Sequence, residues 1–254
     1  MTSTPTIVFD LDGTLVDTAP DLIDALNFVL GREGLPPMPL HSARNLIGAG
    51  ARKLIERGLE VEGRAASLGD IDRMTKDFID YYADHIAEGS RPFDGLEGAL
   101  DDLSARGCRF AVCTNKLEWL SKRLLDQLGL SRRFAAICGA DTFGVAKPDP
   151  AILQQTVARA GGAMASTIMV GDAGTDIGVA RRATPISGPA SPTMMVEESA
   201  PPARATVCCR IAGSGLEIPN VSAPQIAANR ALRPSSSSNF FDSHSSLLVQ
   251  TANR

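Results

Sequence analysis

Short apolar segments and stretches of helical spacing alternate along residues 96–171. The apolar segments run from Arg109 to Thr114, Phe134 to Cys138 and Thr167 to Gly171, and the helical stretches begin at Leu96, Leu117 and Ala151. This alternation is typical of parallel strands joined by helices that cover the sheet. Together with a first apolar strand at Ile7-Val8-Phe9, it predicts an α/β fold with a parallel sheet as its core.

Residues 18–91 show helical spacing and no convincing strand. Pro20 suits a first helical turn, and the apolar residues that follow recur with the period of a helix at Leu22, Leu26, Val29 and Leu30. We therefore expect an all-helical insertion at 18–91, between the first strand and the rest of the sheet. The sheet domain then comprises residues 1–17 and 92–184.

Composition argues against several classes of function. The 254 residues have a net charge of -4 and a pI near 5.4, which provides no basic surface for nucleic acid or an anionic membrane. No segment approaches the roughly 20 apolar residues of a membrane span, and a secretory signal is not evident, so we expect a cytoplasmic protein. The five cysteines have no metal-ligand spacing and are expected to be reduced thiols.

Carboxylates follow two of the predicted strands. Asp10 and Asp12 come directly after the first strand, where Gly13 indicates a turn, and Asp172 and Asp176 follow the strand that ends at Gly171. Acids held so close together need a proton or a cation between them, and Mg²⁺ with oxygen ligands suits such a site. Helix capping is the ordinary alternative for each aspartate.

Two other loops supply groups that suit a phosphate. Thr114 and Asn115 offer a hydroxyl, an amide and free backbone N–H groups where a helix begins, although the same pair is a common helix cap. Lys147 precedes Pro148, which fixes the chain before a helix and holds the ammonium in a defined place. A solvated surface lysine is the alternative for Lys147.

In this order the motifs resemble those of the haloacid dehalogenase-like superfamily of phosphatases, over about residues 6–183. The matching segments are Asp10-Leu11-Asp12-Gly13-Thr14, Thr114-Asn115, Lys147-Pro148, and Gly171-Asp172 with Asp176. The resemblance implies a Rossmann-like parallel sheet core, and it implies that the insertion at 18–91 is a small α-helical cap domain. Hinges near residues 15–18 and 91–95 would let this cap close over the site.

The resemblance also implies roles for these residues in hydrolysis of a phosphomonoester. Asp10 attacks phosphorus and forms an aspartyl-phosphate, while Asp12 protonates the leaving alcohol and then activates water. Mg²⁺ is held by Asp10, the Asp12 carbonyl and Asp172, and Asp176 ligates or orients. Lys147 and Thr114 offset charge on the phosphoryl oxygens, and Asn115 contributes to substrate binding.

The expected substrate is a small phosphorylated metabolite, and the sequence of the helical insertion is the guide to which one. The segment Asn45 to Leu54 is similar to the cap of bacterial phosphoglycolate phosphatases, as Val112 to Lys116 is to their second motif. Gly48 and Gly50 let the backbone approach a small substrate, here 2-phosphoglycolate. The candidates for binding its carboxylate are Arg44, Arg52 and Lys53, each of which has a solvent-facing helix position as the alternative.

Three other functions stay open at this point. A sugar-phosphate phosphatase or mutase would use the same core, and a phosphonate-cleaving lyase would need a cap lysine as Schiff base, for which Lys53 is the candidate. The third is a catalytically impaired phosphate-binding protein with an interaction tail. Residues 185–254 motivate it, because they contain no lysine and are rich in Ser and Pro.

The Ser- and Pro-rich composition of residues 185–254 favours weak order. Within this segment, a strand is predicted at Val207 to Ile211. A shifted reading frame would explain the abrupt change in pattern, and without a further strand the strand before Asp172 would become a sheet edge.

Overall fold

A computed structural model of the chain describes residues 4–183 and, beyond them, two strands at 194–196 and 207–210. The strands are β1 (Thr6–Phe9), β2 (Val16–Asp17), β3 (Arg91–Pro92), β4 (Arg109–Cys113), β5 (Ala136–Cys138), β6 (Thr167–Gly171), β7 (Met194–Val196) and β8 (Val207–Arg210). Six of them form one sheet in the order β5-β4-β1-β6-β8-β7. The first four are parallel, as predicted, and β8 and β7 extend the sheet in antiparallel orientation.

The helices match the predicted alternation, with small differences at their ends. They are α1 (Ala19–Arg32), α2 (Leu40–Ala43), α3 (Ala51–Val61), α4 (Leu68–Asp84), α5 (Leu96–Ala105), α6 (Glu118–Gln127), α7 (Pro150–Arg159) and α8 (Gly174–Ala183). Pro20 lies in the first turn of α1, as expected, and a capping box of Ser67 and Asp70 begins α4. None of the described helices is long and apolar enough to cross a membrane.

The central strand β1 is buried on both faces, and its alternating side chains enter two apolar clusters. Val8 packs with residues of α7 and α8 on one face. Phe9 lies on the other, edge-on to Phe110 and Phe134. That second cluster continues into α1, α3 and α4, so the insertion and the sheet share one apolar core.

Two sets of contacts hold the ends of the helical insertion in place. Strands β2 and β3 pair in antiparallel orientation, with Val16 opposite Pro92, and so bring the start and end of the insertion together. The buried Asp21 carboxylate of α1 then accepts hydrogen bonds from Gly89 N at 2.6 Å, Ser90 N at 2.8 Å and Ser90 Oγ at 2.5 Å. The bonds from Ser90 satisfy a backbone N–H and a hydroxyl that would otherwise be buried without a partner.

The weak strand prediction after residue 184 is confirmed, because β8 covers Val207–Arg210 and pairs with β6. Strand β6, which precedes Asp172, is therefore not a sheet edge. Strand β7 was not predicted. The expectation of weak order for 185–254 otherwise concerns residues outside those that the structure describes. Among the described side chains, Cys108, Cys113 and Cys138 are free thiols, as expected.

Candidate active site

The predicted site lies at the carboxyl ends of the parallel strands. Asp10 follows β1, and its chain turns at once, because Gly13 adopts φ +83° and donates from its N–H to the Val16 carbonyl at 2.8 Å. The Asp10 carboxylate is buried and accepts a hydrogen bond from Leu11 N at 2.7 Å. The turn thus holds this carboxylate at the sheet edge, where open α/β folds bind ligands.

Lys147 neutralises the buried acids of this edge. Its Nζ lies 2.8 Å from Asp10 Oδ1 and 2.6 Å from Asp176 Oδ1, and its side chain is fully buried. Burial and the nearby Asp176 carboxylate raise the pKa of Asp10 to about 7, against the opposing effect of Lys147. Burial alone would lower the pKa of the Lys147 ammonium, but the two carboxylates outweigh it and raise this pKa.

Asp10, Asp172 and Asp176 form a group that could hold a divalent cation, with one carboxylate oxygen of each within 4.8 Å of the others. Thr14 Oγ1 donates to Asp172 Oδ1 at 2.9 Å, and Ala173 N donates to Asp176 Oδ2 at 2.9 Å. Burial raises the pKa of Asp176. These hydrogen bonds orient the carboxylates as metal sites require.

Gly171 allows Asp176 to lie this close, because a Cβ at Gly171 would overlap the Asp176 carboxylate. The carboxylate of Asp12 is not part of the three-aspartate group. The sequence assigned only the main-chain carbonyl of Asp12 to the metal, and that assignment stays a prediction.

Asp12 instead occupies a polar cluster that sequence reasoning missed. Its Oδ1 accepts from Thr18 Oγ1 at 2.7 Å and pairs with Lys116 Nζ at 3.0 Å. The Lys116 ammonium also lies 4.4 Å from the ring centroid of Tyr82 in α4. Burial raises the pKa of the Tyr82 hydroxyl to about 12. Burial would lower the pKa of Lys116, but Asp12 outweighs burial and raises it.

Asn115 connects three segments around the site. Its Oδ1 accepts from Lys147 N at 2.8 Å, and its Nδ2 donates to Lys147 O at 3.2 Å and to Gly48 O at 3.4 Å. The neighbouring Thr114 is buried, and its Oγ1 accepts from Lys116 N at 3.2 Å. The predicted pair Thr114 and Asn115 therefore lies beside Lys147, as the parallel topology required.

The two predicted cap glycines lie against the core loops. Gly50 has φ +88°, and a Cβ there would come within 3.3 Å of the Asn115 carbonyl oxygen. Gly48 has φ +112°, and a Cβ there would lie 3.5 Å from the Ala173 Cβ. Both positive φ values favour glycine. The segment between Ile47 and Ala51 therefore brings backbone directly over the candidate site.

The basic residues predicted in this segment have partners outside the three-aspartate group. Arg44 makes a bidentate pair with Asp17, with both N–O distances 2.8 Å. Arg52 pairs with Asp72 and with Glu56, and Lys53 pairs with Glu56 at 2.7 Å. Arg52 nevertheless lines the cavity described next, whereas Arg44 and Lys53 do not.

A cavity of about 260 Å³ lies between the insertion and the core loops. Its polar side chains include Asp10, Asp12, Thr114, Asn115 and Lys116. The insertion contributes mostly apolar or backbone surface, from Leu22, Ile47, Gly48, Ala49, Gly50, Ala51, Leu54, Phe78, Ile79 and Tyr82, among others. A small ligand whose charged groups face the core loops fits such a lining.

Known proteins are similar to this chain in sequence and in fold. Two similar sequences are phosphoglycolate phosphatases, from Caulobacter vibrioides (46% identical, covering 70% of this chain and 75% of the relative) and Mesorhizobium japonicum (45%, covering 71% and 80%). A crystal structure of a predicted phosphoglycolate phosphatase from Haemophilus somnus matches with a TM-score of 0.63 at 27% identity, covering 70% of this chain and 81% of that chain.

A β-phosphoglucomutase from Clostridium difficile shares the fold, with a TM-score of 0.58 at 23% identity, covering 70% of this chain and 80% of that chain. A family model described as haloacid dehalogenase-like hydrolase matches residues 7–185. That match spans both the sheet edge that carries the acids and the helical insertion. The chain therefore belongs to the haloacid dehalogenase-like hydrolases.

Proposed function

We propose that this enzyme hydrolyses 2-phosphoglycolate to glycolate and phosphate, with Mg²⁺ as its cofactor. The observation that supports this most directly is the buried contact of Lys147 with Asp10 beside the three-aspartate group. The similarity to two phosphoglycolate phosphatases supports the choice of substrate. We also propose the division into a core of residues 1–17 and 92–184 and a cap of 18–91, whose ends β2 and β3 join.

Asp10 is the proposed nucleophile. Its carboxylate attacks phosphorus in line with the ester oxygen, so the P–O bond to glycolate breaks as the aspartyl-phosphate forms. Lys147, Thr114 and the backbone N–H groups around Asn115 offset charge on the phosphoryl oxygens. Mg²⁺ held by Asp10, Asp172 and the Asp12 carbonyl would supply further positive charge to this phosphoryl group.

Asp12 is the proposed acid and base. Its carboxyl group donates a proton to the departing glycolate oxygen, and its carboxylate then takes a proton from the water that hydrolyses the aspartyl-phosphate. Thr18 holds the carboxylate in place through the 2.7 Å hydrogen bond. The second step returns Asp10 as a carboxylate and releases phosphate, so the cycle balances.

The contacts of Lys53 favour hydrolysis over phosphonate cleavage. A Schiff-base lysine must face the substrate, but Lys53 pairs with Glu56, is half exposed and does not line the cavity. Gly48 and Gly50 instead bring backbone over the cavity. Their position supports a role in closing around a small ester.

The first test is release of phosphate from 2-phosphoglycolate with Mg²⁺ or with EDTA, alongside a sugar phosphate and a phosphonoaldehyde. We expect metal-dependent turnover that prefers 2-phosphoglycolate. Asp10→Asn should lower kcat by on the order of 10⁴-fold or more, because it removes the nucleophile. Asp24→Asn, at an exposed position of α1, serves as the matched control.

Faster turnover of the sugar phosphate would reassign the substrate. Turnover that survives both EDTA and Asp10→Asn would refute the proposed mechanism.

A further inference from the structure

Lys116 is a buried cation to which neither the family match nor the sequence motifs assign a role. Its side chain is 5% exposed, and Asp12 is its ion-pair partner among the described residues. An ammonium has three N–H donors, and burying it is costly unless these donors find acceptors. One carboxylate at 3.0 Å leaves room for a second acceptor on the cavity side.

The cavity around Lys116 is otherwise poor in available positive charge. Among its described lining residues, Arg52 and Lys116 are the cations. Arg52 is 45% exposed and already pairs with Asp72 and Glu56 on the outer surface of the insertion. Lys116 is therefore the buried cation that a negatively charged ligand would meet inside this cavity.

Tyr82 adds an unused donor at the same place. Its hydroxyl is buried beside the Lys116 ammonium, and its O–H donates to no acceptor in the part of the chain that the structure describes. Tyr82 lines the same cavity, and the Lys116 ammonium lies over its ring. A buried O–H without an acceptor is uncommon and calls for an explanation, such as a group bound during function.

We propose that Lys116 and Tyr82 form the subsite for the carboxylate of the substrate. This inference rests on the proposed function, in which Asp12 contacts the ester oxygen. In 2-phosphoglycolate a single methylene carbon separates the ester oxygen from the carboxylate. An ester oxygen at Asp12 therefore places the carboxylate beside Lys116, the ion-pair partner of Asp12.

The subsite defines a substrate class: short phosphoesters with a carboxylate on the carbon that bears the ester oxygen. The Lys116 ammonium pairs with one carboxylate oxygen, and the Tyr82 hydroxyl donates to the same group. The apolar residues of the insertion cover the methylene. A neutral ester of equal length offers this ammonium and this hydroxyl no charged acceptor in addition to Asp12, which disfavours its binding.

The test compares 2-phosphoglycolate with 2-hydroxyethyl phosphate, which replaces the carboxylate by a neutral group. Lys116→Met should lower kcat/KM for 2-phosphoglycolate by on the order of 30-fold more than for the neutral ester, mainly through KM. Tyr82→Phe, which keeps the ring, should give a selective loss of about 5-fold in the same direction. Lys122→Met, at an exposed position of α6, is the control and should leave both values unchanged.

Equal losses for the two esters in both variants would overturn the inference, because Lys116 would then act only through Asp12. Tyr82→Phe decides the question if Lys116→Met does not fold, as judged by circular dichroism. A wild-type enzyme that hydrolyses other esters but shows no preference for 2-phosphoglycolate would refute the proposed substrate itself. A wild-type preference that both variants retain would refute the subsite alone.

Discussion

Replacing Lys147 by Met should destabilise the metal-free protein in a pH-dependent way. The Lys147 ammonium is the cation that contacts Asp10 at 2.8 Å and Asp176 at 2.6 Å, and all three side chains are almost fully buried. Met keeps the length of the side chain and removes its charge. The variant therefore buries two carboxylates that have lost their cation.

We expect the free energy of unfolding to fall by about 3–5 kcal/mol at pH 8, the usual cost of breaking a buried ion pair from one side. The loss should shrink at lower pH. Burial already raises the pKa of Asp10 to about 7 with Lys147 present, and removing the ammonium raises it further. The native variant therefore binds more protons than its unfolded chain, and its stability decreases as pH rises above the ordinary carboxyl pKa.

Urea unfolding followed by circular dichroism, in EDTA at pH 5.5 and pH 8, measures both effects. Lys122→Met is the matched control, because Lys122 pairs with Glu118 on the surface, and its loss should cost under about 1 kcal/mol at either pH. Adding Mg²⁺ should restore part of the stability of the Lys147 variant. A loss below 1 kcal/mol at pH 8, or an equal loss at both pH values, would show that the reasoning is wrong.

Two further predictions concern stability. Asp21→Ala leaves the buried N–H and hydroxyl of Ser90, and the N–H of Gly89, without their acceptor. It should lower the free energy of unfolding in urea by about 3 kcal/mol, against less than about 1 kcal/mol for the exposed Asp24→Ala. Similar losses in the two variants would contradict this account of the insertion. Gly171→Ala places a Cβ against the Asp176 carboxylate of the proposed metal site, and it should weaken Mg²⁺ binding, measured by calorimetry, by about 10-fold or more. In Gly174→Ala the added Cβ has no atom within 4 Å, so this variant should bind Mg²⁺ as the wild type does. Unchanged binding by Gly171→Ala would refute the steric argument.

The core of the site could be predicted because parallel strands place their following loops at one edge. Asp10, Thr114 and Asp172 each follow a strand of recognisable pattern, and their register in the sheet brings them together. Lys147 does not follow a strand directly, but the proline after it marked a fixed position. The structure places it between two acids, as a positioned ammonium requires.

The contacts between the insertion and the core could not be predicted in the same way. Tyr82 contacts Lys116 because α4 packs over the loop that follows β4. Helical periodicity in the sequence does not show which loop a helix packs against. The ion pairs of Arg52 could not be predicted for the same reason. Its position in the sequence suggested a contact with the ligand, but its guanidinium pairs with Asp72 and Glu56. Side-chain partners that are distant in sequence depend on tertiary packing, which local patterns do not encode.

The side-chain amide of Asn115 forms hydrogen bonds both to the sheet domain and to the helical insertion, and the bonds differ in length. It bonds the Lys147 backbone at 2.8 and 3.2 Å but reaches the Gly48 carbonyl only at 3.4 Å. Displacement of the insertion would break the longest and weakest of these bonds first. Asn115 would then still hold the loop that carries Lys147, so the charged groups of the core keep their arrangement while the entrance to the cavity widens. Under the proposed function, substrate entry would therefore leave the proposed catalytic groups in place.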